Sequence, residues 1–390
     1  MKHRYNVLIL DAQAVQTLII AQKLHEKGDT IHLICDSKVS YGYNTKYAKY
    51  KTVIPYSSLD NKYVEFIIDY IRKYYIDVIF PMTDNSALMV SLNQDILKKY
   101  CKFITPEYYV FDTGYDKNKL MKICQTNSFP HPLTIDLESF SNINSISDEI
   151  FPALIKPNYT SGGRGMTLVN DLQELISVLP KIKAEFGECH LQQYIPSGGK
   201  QLKVQLYLDN SSTLQAASVI DKIRYYPENG GSSCYNVTIK NKNIVDTCSQ
   251  LLKIIKWKGF ADFDLIEDPR DKTMKIMEIN PRIPACIKSA INSGIDYANI
   301  YVEHSMTGII PKYEYLPGAK LRHIGFDILW FLYSKKRFST KPSWFKLFEK
   351  NLSFQDFSII DPLPFFVGTL GNISKQLNAN FRHKKSGLRK

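Results

Sequence analysis

The chain has 390 residues, with 50 Lys and Arg against 38 Asp and Glu, for a net charge of +12. Hydrophobic content of 44% with 23% charged residues excludes a disordered or fibrous chain, and the length implies about two or three domains. The positive balance suits an anionic partner such as a nucleotide, an acidic glycan or a membrane surface, and equally a lysine-rich surface that aids solubility.

Seven cysteines, at positions 35, 101, 124, 189, 234, 248 and 286, are dispersed without a CxxC pair. That pattern predicts a reducing compartment, with cytoplasm as the default, and argues against a zinc site or disulfide scaffold. The apolar run in MKHRYNVLILD stops at Asp11, too early for a signal peptide. Nothing reaches the roughly 20 apolar residues of a membrane span, and IGFDILWFLY carries Asp327.

In chain order, YNVLIL (5–10) reads as a strand, followed by a helix to about Lys27 and a strand IHLIC ending at Asp36. A helix over about 60–74, the strand DVIFP (77–81) and a helix over about 85–99 continue the alternation, which KFITP (102–106) closes. Such an order predicts a small doubly wound α/β domain. The turn after its first strand is DAQAVQ, which lacks the glycines of a dinucleotide fingerprint although Asp36 stands where a ribose-binding acid would. The domain is therefore read as structural or substrate-facing.

A lysine-rich helix over 116–127 follows, then FPHPLT. The strands PALIKP (152–157) and MTLVN (166–170) flank the glycine loop of IKPNYTSGGRGM, and a helix (171–186) and a strand HLQQYI (190–195) come next. Alone, this loop fits an ordinary hairpin as well as a phosphate cradle, and GxxxxGK[ST] is absent. Residues 201–240 alternate as a strand meander, and 311–390 are rich in aromatic and basic residues with five prolines at 311, 317, 342, 362 and 364.

The most informative stretch is GFADFDLIEDPRDKTMKIMEINPR (259–282), two strands joined by a polar, proline-containing turn. Period two puts Asp262 with Asp264 on one face of the first strand, and Glu278 with Asn280 on one face of the second. Paired as a hairpin, these carboxylates converge, and they repel unless a cation or proton intervenes. An oxygen set of this kind suits Mg²⁺, which also takes waters and nucleotide phosphates. TMKIM has the lysine-between-methionines pattern of biotin attachment, but Lys275 lies inside the strand leading to Glu278 and is read as a strand residue.

Taken in order, DKNKLM (116–121), IKPNYTSGGRGM (155–166), LQQYIP (191–196), RYYPENGGSS (224–233), GFADFDLI and MEINPR resemble the ATP-grasp superfamily, which includes carboxylate–amine ligases and the carbamoyl-phosphate synthase large subunit. The resemblance covers about residues 1–310. It implies an α/β and α+β chain: a Rossmann-like domain over 1–112 and an ATP-grasp domain over 113–310 divided into a lid-bearing part (113–195) and a metal-binding part (196–310); beyond it, the aromatic and basic residues of 311–390 read as a helical or irregular extension.

The resemblance also implies roles. Lys117 and Lys156 would reach the phosphates of ATP, and Ser161, Gly162, Gly163, Arg164 and Gly165 would close over them. Gln192, Gln193, Tyr194 and Ile195 would pair with adenine. Asp264, Glu278 and Asn280 would hold Mg²⁺ or Mn²⁺, and Arg282 would stabilise the transferring phosphoryl group. Arg224 would sit in the cleft, although by itself it reads as a surface arginine. Two departures stand out: Gln193 replaces a common hinge glutamate, and Lys203 stands near a commonly acidic position.

The reaction so implied is ATP-dependent carboxylate–amine ligation through an acyl phosphate, on small-molecule carboxylate and amine substrates. Alternatives are carbamoyl-phosphate or carboxylase-type chemistry, or a nucleotide-binding regulatory module without turnover. No nucleic-acid motif accompanies the positive charge, and a homodimer is compatible with the resemblance. FLYSKKRF, WFKLFEK and FRHKKSGLRK mix aromatics with bases, as either a helical cap or a peripheral membrane contact would.

Overall fold

The computed structural model describes residues 4–139, 142–160, 162–228 and 231–377. Ser161 and the terminal FRHKKSGLRK therefore lie outside the described residues.

The first sheet is wholly parallel and contains β1 (Asn6–Leu10), β2 (Thr30–Cys35), β3 (Tyr50–Val53) and β4 (Val78–Pro81) in the order β3-β2-β1-β4. Helices Thr17–Glu26, Asn61–Tyr74 and Asp84–Leu92 cross between or follow these strands. The apolar runs of β1, β2 and β4 are those expected of strands covered on both faces. β3 is absent from the sequence reading because YKTV is half exposed at the sheet edge and carries no apolar run. The single helix expected over 85–99 is two, Asp84–Leu92 and Gln94–Leu97, interrupted at Asn93. KFITP contributes one bridge, Val78 with Lys102, and no strand.

The second sheet contains β5 (Thr134–Asp136), β6 (Ala153–Pro157), β7 (Thr167–Val169) and β8 (Cys189–Gln193), in the antiparallel order β5-β8-β6-β7. Helix Leu172–Phe186 covers it, capped by Asp171, whose side chain accepts from the Glu174 amide, and ended by Gly187 at φ 81°.

The third sheet has seven strands: β9 (Gln201–Leu208), β10 (Leu214–Tyr226), β11 (Ser232–Ile239), β12 (Gly259–Glu267), β13 (Met274–Asn280), β14 (Lys320–Arg322) and β15 (Leu352–Phe354). Their order is β13-β12-β9-β10-β11-β14-β15. The expected hairpin is present, with Asp262 opposite Asn280 and Asp264 opposite Glu278. β14 and β15 attach segments beyond residue 310 to the same sheet.

The two faces of this sheet do different work. Leu202, Val204, Leu206, Ala261, Phe263 and Leu265 bury against Cys248, Leu251 and Leu252 of helix Lys242–Ile254 and against Trp257. Tyr207 and Phe260, on the other face, join a core shared with the first sheet and with helices Ile287–Asn292 and Tyr297–Thr307. Asp262 and Asp264 therefore face the first sheet's side, and Phe263 anchors the strand from behind. We predict that Phe263→Ala lowers stability by about 3–5 kcal/mol, measured as a fall in the chemical denaturation midpoint.

Candidate functional site

Two jaws meet around the carboxylates of the hairpin. On the first, Lys156 projects from β6 and is buried, and its Nζ donates to Gln192 Oε1 on β8 at 2.6 Å. Gln192 in turn donates to Thr134 Oγ1 at 3.2 Å. Burial, with Lys117 nearby, pushes the Lys156 ammonium down to about 8, against the pull of Glu278. Lys117 opens helix Lys117–Thr126, which Asp116 caps by accepting from the Asn118 and Lys119 amides. Its Nζ donates to the Thr160 carbonyl in the glycine loop and lies 3.7 Å from Glu278 Oε2 on β13. One ammonium thus touches the loop and the hairpin together.

The loop has the backbone its composition suggested. Gly162, Gly163 and Gly165 have φ of 66°, 73° and 75°, a region that favours glycine. A Cβ on Gly165 would meet Phe186 and Pro157 at 2.8 Å, so this glycine is also required by close packing. Arg164 lines a cavity at the carboxyl end of the first sheet.

The hinge residues are placed with their backbone engaged. The Gln193 amide donates to the Leu133 carbonyl at 2.8 Å and the Tyr194 amide to the Pro152 carbonyl at 2.9 Å, while Ile195 is buried. Gln193 Oε1 accepts from Arg270 at 3.2 Å, and Arg270 is itself clamped by Asp268. The sequence reading did not find Arg270, since a turn arginine carries no local mark of its partner 77 residues away.

On the second jaw, Lys203 of β9 reaches across to β12. Its Nζ lies 2.9 Å from both Asp262 Oδ2 and Asp264 Oδ2. Asn280 donates to Asp264 Oδ2 at 3.0 Å and to the Asp262 carbonyl at 3.0 Å. Burial alone would raise the Asp264 carboxyl, yet Lys203, Lys222 and the bond from Asn280 hold it down at about 2. Asp262 is fully buried, and desolvation pushes its carboxyl up despite Lys203. The two carboxylates raise the Lys203 ammonium above its usual range against the effect of burial. Arg282 is bracketed by Asp84 Oδ1 at 3.2 Å, Asp262 Oδ2 at 3.8 Å and Asn280 Oδ1 at 3.3 Å.

Does this set fit a divalent ion? Asp264 and Glu278 face each other across the hairpin with an amide beside them, and all three supply hard oxygen donors. Among the described residues no group of three or more His, Cys, Asp or Glu is arranged to hold a metal. Oxygen donors of this kind suit a hard ion such as Mg²⁺, which keeps several waters or phosphate oxygens.

Arg224 is a correction. Its Nε and NH2 bind Asp327 at 2.8 and 3.0 Å, its NH1 donates to the Pro342 carbonyl at 3.1 Å, and its guanidinium lies over Tyr235 and Trp330. All its polar groups are turned to residues 327 and 342, away from the hairpin carboxylates. The register shifts around Arg224 on β10 accompany this reorientation. Lys222, two residues earlier, is the base whose charge is felt by Asp264.

A cavity of about 330 Å³ adjoins this group at the carboxyl ends of β1, β2 and β4. Asp11, Asp36, Tyr63, Thr83, Asp84 and Arg164 are among its lining residues. Asp11 sits at φ 52°, and its carboxylate accepts from Ser58 Oγ at 3.0 Å and from Thr83 Oγ1. Such strain at a pocket rim is characteristic of functional sites. Asp84 was not singled out, though a Thr-Asp pair just past a parallel strand is the available signal.

Comparison with known proteins bears on the family and the fold. Residues 116–304 match the family described as carbamoyl-phosphate synthase L chain, ATP binding domain. Over these residues the chain is similar to an ATP-grasp domain. It is 25% identical over 264 residues to D-aspartate ligase of Enterococcus faecium, covering 61% of this chain and 62% of that one. It is 23% identical over 250 residues to the carbamoyl phosphate synthase large chain of Caldanaerobacter subterraneus, covering 61% of this chain and 22% of that one. Thus it spans less than two thirds of the length of these curated relatives. The biotin carboxylase domain of Hydrogenobacter thermophilus 2-oxoglutarate carboxylase has the same fold, with a TM-score of 0.67 at 17% identity over 81% of this chain and 73% of that one.

Lys203→Met leaves Asp262 buried without its cation and should cost about 3–5 kcal/mol. Adding Asp262→Asn should recover part of that loss, and thermal melting of the two variants beside the parent checks both statements.

Proposed function

We propose that the chain is an ATP-dependent ligase that joins a carboxylate to an amine through an acyl phosphate. The observation that carries this reading is the approach of Lys117 to Glu278, with Lys156 close enough to feel that carboxylate, beside the linked group of Asp264, Asn280 and Arg282. Lys156 and Lys117 are the cations for the phosphate chain of ATP, and the left-handed glycines turn backbone N–H groups towards it. The hinge segment from Gln192 to Ile195, just where β8 ends, borders the adenine in this reading. Asp264, Glu278 and Asn280 would hold Mg²⁺, which when bound neutralises charge on the β- and γ-phosphates.

In this reading the substrate carboxylate oxygen attacks the γ-phosphorus and ADP leaves. The amine then attacks the acyl carbon and expels inorganic phosphate. Arg282 lies where negative charge builds in both steps, and it is held there by Asp84 and Asn280. Closure of the glycine loop excludes water that would otherwise hydrolyse the acyl phosphate. The acid-lined cavity beside Asp84 takes the amine substrate: Asp11 and Asp36 favour its arrival as an ammonium, which gives its proton to a carboxylate before the neutral nitrogen attacks.

The test is turnover. The chain is incubated with Mg-ATP and pools of amino acids and small amines, and ADP and phosphate are measured. At least one pool is expected to stimulate release, and Arg282→Ala to reduce it by about a hundredfold with ADP affinity retained. Tight ATP binding with no stimulation from any pool overturns the ligase reading.

Lys156 adds a pH signature. Its ammonium is fully present below about 8 and is lost as pH rises through that value. A bound phosphate chain favours the charged form, so ADP binding should take up a proton above pH 8 and weaken with rising pH. Calorimetry in buffers of different ionisation heat checks this, and Lys156→Arg, which stays charged, should remove the dependence.

A further inference from the structure

After β14 the chain builds, against β10 and β11 of the large sheet, a feature that ligase chemistry does not use. Helix Ile324–Tyr333 turns Asp327 and Trp330 inward and leaves Ile328, Leu332 and Tyr333 exposed. The following loop exposes Phe338 at 78%, Phe345 at 59% and Phe348 at 93%. These are not stray side chains. Phe338 stacks on Phe345 with 6.3 Å between centroids, Phe331 meets both edge-on at 5.6 Å, and Trp344 packs on Phe331 at 4.4 Å.

The ridge is held from beneath. Arg224 and Arg322 both grip Asp327, and the three are buried. Arg224 donates to the Pro342 carbonyl at 3.1 Å, Arg322 donates to the Trp344 carbonyl at 3.1 Å, and Trp344 Nε1 donates to the Asp327 carbonyl at 3.0 Å. Buried ionic groups therefore fix the backbone at 342 and 344, while the aromatic rings beside them stay in solvent.

Charge identifies what covers them. Residues 332–350 contain Lys335, Lys336, Arg337, Lys341, Lys346 and Lys350 against the single acid Glu349. Glu349 is already paired with Lys320 and lies 3.7 Å from Lys346. A second copy meeting this face across a two-fold axis would set base against base. An anionic bilayer supplies both an apolar layer for the rings and phosphates for the lysines. We infer that residues 328–350 dock this protein peripherally on an anionic membrane surface. No helix among the described residues is long and apolar enough to cross a membrane, so the contact is superficial. Helix Ile324–Tyr333, which carries one side of the ridge, packs on β10 and β11, and none of the exposed ridge phenylalanines contacts the hairpin carboxylates described above.

Flotation of the full chain with vesicles of phosphatidylcholine, with and without phosphatidylglycerol, tests the inference. The chain should float with the anionic vesicles only, and release as salt is raised. Combined Phe338→Ser, Phe345→Ser and Phe348→Ser should weaken partitioning by about a hundredfold or more. Lys335→Gln, Lys336→Gln and Lys341→Gln together should weaken it by about a hundredfold. Brominated lipid should quench half-buried Trp344 and spare the buried Trp257 and Trp330, so that Trp344→Phe abolishes the quenching. Melting temperature and nucleotide turnover of the ridge variants, which lie outside the cleft, control for folding. Failure of the parent chain to bind anionic vesicles overturns the inference, as does binding that the phenylalanine variants leave unchanged. Concentration-dependent doubling of mass, lost with Phe348→Ser and without vesicle binding, assigns the ridge to a second copy and likewise overturns it. None of these outcomes depends on the ligase reading.

Discussion

The Lys203 ammonium between Asp262 and Asp264 is the contact on which the site depends. Two carboxylates on one strand face repel, and burial makes the repulsion worse. At an effective dielectric of about 20, each ammonium–carboxylate contact is worth on the order of several kcal/mol, and desolvating each ion costs a similar amount. The net contribution to stability is therefore small, while the positional consequence is large. With one cation shared, Asp262 can stay buried behind the site and Asp264 can stay ionised at its front. Glu278 and Asn280 then face a local charge that is already partly balanced, which lets the hairpin close without requiring a bound ion.

The same contact shows what a sequence can and cannot disclose. Asp264, Glu278 and Asn280 were legible because strand period and a single proline-bearing turn fix their face and register locally. The glycine loop was legible for the same reason, since positive φ leaves a compositional mark. Lys203 drew notice only as a departure from an acidic position, and its reason became visible only when β9 lay beside β12. Asp84 and Arg270 meet their partners across 198 and 77 residues, and no short-range pattern encodes such meetings. β3 was missed because an edge strand needs no apolar run. The resemblance implies a place in the cleft for Arg224, whereas its guanidinium is bound to Asp327, a partner 103 residues away that no local pattern marks.

The glycine loop meets the hairpin through Lys117, and this has a dynamic consequence. The loop Asn158–Met166 is held to the second jaw through Lys117, whose ammonium serves the Thr160 carbonyl and approaches Glu278. A lysine on a helix N-terminus is well suited to that task, because its long stem follows a moving loop while its root stays fixed by the Asp116 cap. A nucleotide phosphate arriving there competes with a carbonyl and a carboxylate for the same ammonium. Binding and lid position are thereby coupled through one side chain, and the left-handed glycines supply the hinge freedom.

The Arg224–Asp327–Arg322 cluster repeats the logic of Lys203 at the other end of the sheet. A buried ionic triad is a poor source of stability and can often be replaced by apolar side chains without loss. Its spare donors instead go to the carbonyls of residues 342 and 344, which fixes a loop that packing alone would not order. A chain under no demand for that loop could bury Phe338, Phe345 and Phe348, each worth about 1.5–3 kcal/mol if fully buried. Here Arg224, on the bulged β10 strand, gives a donor to that loop while those rings stay exposed. Interior electrostatics at the two ends of one sheet thus perform one kind of work: they place side chains that hydrophobic packing would have left elsewhere.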